Sequence, residues 1–94
     1  MDRATILTTA SELITKDREH QYGSPKDNLG TIAELWHTYL TGSKNDGKIT
    51  AHDVAVMMCL VKIARIASGN VKADSYTDLC GYGAIAGELA GDSE

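Results

Sequence analysis

Between Ala55 and Ala67 the chain reads AVMMCLVKIARIA, a run whose only charges are Lys62 and Arg65. A helix that is apolar nearly all round belongs at the centre of its domain, because none of its faces gains by contact with water. This run constrains the fold more than any other segment, since the remaining elements must be amphipathic and must surround it. Thr50 and Asp53 stand just before it at capping-box spacing. Gly69 follows it as a natural terminator. The sequence therefore predicts a helix over about 51–68. ITAHDVAVMM contains β-branched residues, but the length of the segment and its cap favour helix over strand.

Three further helices are expected around it. The first covers about 3–16, with Ile6, Leu7, Ala10, Leu13 and Ile14 on one apolar face. The second covers about 25–40, with Ser24 as N-cap, Pro25 at the first position and Asp27 at the third. Its apolar stripe is Leu29, Ile32, Ala33, Trp36 and Leu40. The fourth covers about 75–89, with Ser75 and Asp78 at cap spacing. Leu79, Ala86 and Leu89 face inward, and Gly83 on the same face allows a close helix approach. The expected fold class is all-α: one domain over residues 1–94, an antiparallel four-helix bundle with short loops. A chain this short builds a modest core, so a homo-oligomer is expected.

Net charge is −4, and there is neither a basic run nor an aromatic ladder, with no Phe and one Trp. Binding to a nucleic-acid backbone is not expected from such a balance. The N-terminal segment lacks the apolar stretch of a signal peptide, and Lys62 and Arg65 break the longest apolar run, so no membrane association is expected. Cys59 and Cys80 read as core thiols in a reducing compartment. The localisation expected is the cytoplasm.

The chemistry-bearing residues concentrate between Lys62 and Tyr82. Lys62 and Arg65 share a helical face about 60° apart. Two cations so placed repel unless an anion lies beside them. Asp74 and Asp78 share a face about 40° apart on the next helix, and the short linker GNVKA folds that helix back on the first. Lys72 and Tyr82 flank them. One reading is a pair of interhelical salt bridges, which spacing alone favours. The other is a polar pocket in which Lys62, Arg65 and Lys72 hold phosphate and Asp74 and Asp78 hold a divalent metal, with Mg2+ as the possible cofactor. Glu34 is a weaker third metal candidate; it stands three residues before His37, and Glu-x-x-His pairs bind metals in helical bundles. That pair, like Asp17–His20, reads better as solvated surface.

The segment DREHQYG precedes a well-capped helix. From it, Arg18 and Tyr22 can reach a ligand at the helix N-terminus, which favours anions. The other reading is a solvated connector. No zinc cysteine pattern, phosphate loop of the GxxxxGK type or GxGxxG occurs, and neither cysteine has a histidine partner.

Taken in order, Arg18, Tyr22-Gly23, Ile32-Ala33, Leu35-Trp36, Asp53-Val54-Ala55, Met58, Lys62, Arg65, Lys72, Asp74-Ser75, Asp78 and Gly81-Tyr82 resemble a family of short phage-encoded helical proteins of unknown function. That family in turn looks distantly like the MazG-type all-α nucleotide pyrophosphohydrolases, which are oligomeric and magnesium-dependent. MazG-type enzymes carry Glu-x-x-Glu on one helix and Glu-x-x-Asp on the next. Here His37 follows Glu34 at that spacing and Val56 follows Asp53. The resemblance accordingly implies the fold and a nucleotide-like ligand more than it implies catalysis.

Three functions are expected to compete. The chain binds, and sequesters, a nucleotide or other phosphorylated small molecule through Arg18, Tyr22, Lys62, Arg65, Lys72 and Tyr82. Alternatively it is a MazG-like hydrolase of nucleoside triphosphates, or a phage interaction module that blocks a host protein.

Overall fold

A computed structural model describes residues 1–17, 24–43, 47–69 and 72–92. These residues form four α-helices and no strand. α1 spans Arg3–Glu12 and runs on into a π-helical turn, Leu13–Asp17. α2 spans Pro25–Gly42, α3 Ala51–Ala67 and α4 Ala73–Asp92.

Local chemistry sets most of these boundaries. Asp2 caps α1 by accepting from the Thr5 N–H at 2.8 Å. Ser24 caps α2 through the Asp27 N–H, with Pro25 in the first turn, as the sequence predicts. At the start of α3 the capping box is complete. The Thr50 hydroxyl accepts from the Asp53 N–H at 3.1 Å, and the Asp53 carboxylate accepts from the Thr50 N–H at 2.9 Å. Gly69 ends α3 with φ of 91°, a left-handed conformation that a side chain would oppose.

α3 is the hub. It packs most extensively against α4 and less extensively against α2. Two hydrogen bonds fix α2 on α3. The Trp36 Nε1–H donates to the Met57 carbonyl at 2.9 Å, and the Tyr39 hydroxyl donates to Asp53 at 2.7 Å. As the α2 partner advances from 36 to 39, the α3 partner retreats from 57 to 53, so the two helices are antiparallel. Toward α4, the Cys59 thiol faces the Leu79 carbonyl at 3.9 Å.

Four expectations change. α1 buries none of its residues, so its apolar face is not turned into a core. The inward face of α2 is rotated relative to the expected stripe. Leu29 and Ala33 are exposed, whereas Ile32 is buried and Leu35, Trp36 and Tyr39 are partly covered. The polar ends of Trp36 and Tyr39 find partners on α3, and this turns the helix. α4 starts at Ala73, and the Ser75 N–H bonds to the Lys72 carbonyl, so Ser75 is a buried third-position residue rather than a cap. Cys80 is exposed, because the α4 face turned to α3 carries Ser75, Leu79, Tyr82 and Ala86 instead. Among the described residues no helix is long and apolar enough to cross a membrane.

Candidate functional site

Lys62 lies on the side of α3 that α4 covers and is only 8% exposed. A buried ammonium requires an anion, since its hydration is lost and the cost falls only when an opposite charge replaces water. The anion is Asp78, whose Oδ2 stands 3.0 Å from the Lys62 Nζ. Its side chain is 47% exposed, so one end of the pair is buried and the other reaches water. Ser75 is buried one turn upstream on α4.

Asp78 also lines an open groove of about 440 Å³, together with Thr77, Gly81, Tyr82 and Ile85. These five positions fall at i, i+1, i+4, i+5 and i+8, which is one face of α4. Gly81 leaves space there, as nothing lies within 4 Å of where its Cβ would stand. Tyr82 supplies an aromatic wall and Thr77 a hydroxyl. The sequence reading names Asp78 and Tyr82 but misses Thr77, Gly81 and Ile85. Their helical spacing around Asp78 is the signal that would have found them.

The other candidates distribute unevenly. Arg65 is part-buried on α3, one turn beyond Lys62. Lys72 and Asp74 are exposed at the start of α4. Glu34 is exposed on α2. Arg18 and Tyr22 lie outside the described residues. Among the described residues no three His, Cys, Asp or Glu side chains converge on a point where a metal ion could sit. Of the metal candidates, Asp74 and Glu34 are exposed and Asp78 is engaged by Lys62.

A second polar cluster joins α2 to α3. Asp53 is buried and accepts from the Thr50 N–H, the Tyr39 hydroxyl and the Thr50 hydroxyl. The Thr50 amide hydrogen bond, with those two hydroxyls, holds its carboxyl down at about 2 from the ordinary 3.8. Burial, with the hydrogen bond and charge of Asp53, pushes the Tyr39 hydroxyl up to about 12 from 10.0. Every oxygen of this carboxylate serves the cap and the helix contact, so the cluster is architectural.

A family model described as a domain of unknown function, DUF6378, matches residues 5–90. The Gene 55 protein of Mycobacterium phage L5 is 42% identical over 81 residues, covering 86% of this chain and 49% of that protein. The Gene 55 protein of Mycobacterium phage D29 is 40% identical over 78 residues, covering 83% of this chain and 48% of that protein. The chain spans about half the length of these curated relatives. No solved structure matches it.

Proposed function

The chain belongs to the DUF6378 family, which includes mycobacteriophage proteins, and we propose that it binds a phosphorylated small molecule, a nucleotide or nucleotide-like compound, at the Lys62–Asp78 groove. The observation that supports this reading is a desolvated lysine paired with a half-exposed aspartate at the edge of an open, aromatic-walled groove. In the free protein Asp78 serves as the lysine's anion. In the complex a phosphate takes that place, and the Asp78 carboxylate turns outward into water. The buried ammonium is never without a counter-charge, so the exchange avoids the large cost of an uncompensated ion. Tyr82 offers a face on which a base can stack. Arg65 and Lys72 add positive potential at the two ends of the α3–α4 connection.

The reading is of binding and sequestration rather than turnover. Metal-assisted hydrolysis needs carboxylates free to hold the metal, and Asp78, the carboxylate at the groove, is held by Lys62. No step of the proposal runs through magnesium.

Thermal unfolding against adenosine triphosphate, thymidine triphosphate, adenosine monophosphate and inorganic phosphate tests it. A ligand at ten times its dissociation constant adds about 1.4 kcal/mol of stability. For a domain of this size that raises the melting temperature by about 5 °C or more. The shift should vanish in Lys62→Met, which keeps the buried aliphatic stem and should remain folded. No shift with any of these compounds, in protein shown to be folded, would remove the reading.

A further inference from the structure

The apolar face of α1 has no place in the fold. Ile6, Leu7, Leu13 and Ile14 are between 47% and 69% exposed, and among the described elements the main packing of α1 is with the turn that continues it. The whole chain shows the same deficit. A folded monomer of 10.1 kDa is expected to expose about 5,300 Å². This chain exposes 6829 Å². Its radius of gyration is 15.6 Å, against about 12.4 Å for a compact chain of this length. The surplus of about 1,500 Å² exceeds the roughly 800 Å² that each partner buries in a standard stable interface.

The order of residues on α1 and on the π-helical turn that continues it, which carries Leu13 and Ile14, suits a second copy of the same segment. From Ile6 to Ile14 the chain reads Ile-Leu-Thr-Thr-Ala-Ser-Glu-Leu-Ile. Its apolar positions form a palindrome about Ala10: Ile6 mirrors Ile14, Leu7 mirrors Leu13, and Ala10 mirrors itself. The symmetry extends in sequence to opposite charges, since Arg3 mirrors Asp17. An antiparallel pair about a two-fold axis sets each residue against its mirror position on the other copy, so this order meets isoleucine with isoleucine and leucine with leucine along one apolar seam. We propose that α1 is a homodimerisation helix, packing antiparallel on α1 of a second copy of this chain about an axis at Ala10. The small side chain of Ala10 lets the two backbones approach at the crossing, with the leucines and isoleucines interleaved on either side. The interface lies apart from the Lys62–Asp78 groove, so this inference does not depend on the ligand reading.

The test is mass measurement by light scattering, combined with cross-linking. The chain should run at twice its 10.1 kDa at micromolar concentration, and Leu7→Glu should return it to the monomer mass with helical circular dichroism retained. In a Cys59→Ser, Cys80→Ser background, Ala10→Cys should form an intermolecular disulfide under mild oxidation, whereas Thr5→Cys, on another side of α1, should not. A monomer throughout the concentration range would overturn the inference. So would a dimer that persists in Leu7→Glu, or one in which Ala10→Cys fails to cross-link. Occupation of the face by a further segment of a longer chain would appear as the monomer outcome.

Discussion

At the residue scale, two buried charged groups of α3 do different work. Asp53 is held by hydrogen bonds that satisfy it from the neighbouring turn and from Tyr39. Lys62 depends on one half-solvated carboxylate. The difference decides which is exchangeable. Asp53 titrates near 2 in the folded state and near 3.8 when unfolded, so its stabilisation is present above pH 3.8 and is lost as the pH falls toward 2. The melting temperature should therefore drop between pH 4 and pH 2, and Asp53→Asn should flatten that limb while lowering stability at neutral pH. An acid limb unchanged in the variant would show that Asp53 is not the group responsible. The cap role of Asp53 is legible in the sequence, because Thr50 and Asp53 are local and their spacing dictates the geometry. Tyr39 as its partner is not legible, since that contact depends on how α2 is rotated on α3.

At the element scale, boundaries follow from capping and terminator residues, while faces follow from tertiary partners. α2 and α3 begin where Ser24, Pro25, Thr50 and Asp53 place them, and α3 ends before Gly69. The inward face of α2 departs from its simplest apolar stripe because Trp36 and Tyr39 each carry a polar atom needing a partner. α4 shows the opposite error. Ser75 and Asp78 match a cap pattern, yet the helix starts earlier, and this leaves Asp78 available to Lys62. Gly83 also differs from expectation, as among the described residues nothing lies within 4 Å of where its Cβ would stand. Gly83→Ala should then raise stability by about 0.5–1 kcal/mol through helix propensity alone, a gain of several degrees in melting temperature. A loss of stability would mean that this face is covered in solution.

At the scale of the whole molecule, the all-helical class was readable from periodicity, and the central position of α3 from its lack of a polar face. The isolation of α1 was not readable. Amphipathic periodicity is the same whether the apolar face meets its own chain or a second copy, and the mirror order of Ile6, Leu7, Leu13 and Ile14 gains meaning only once that face is seen exposed. The candidate site was half legible for a similar reason. The charges of Lys62 and Asp78 stand out in an apolar setting, but Thr77, Gly81 and Ile85 become site residues only once α4 is placed. The central claim is that a ligand phosphate replaces Asp78 as the counter-ion of a buried lysine. Isothermal titration of adenosine and thymidine triphosphates into the native chain, Lys62→Met and Asp78→Asn tests it most directly. Binding should be seen in the native chain, lost by at least tenfold in Lys62→Met, and strengthened in Asp78→Asn, where the competing carboxylate is gone. Equal affinity in the native chain and Lys62→Met, or heat from none of the three, would contradict it.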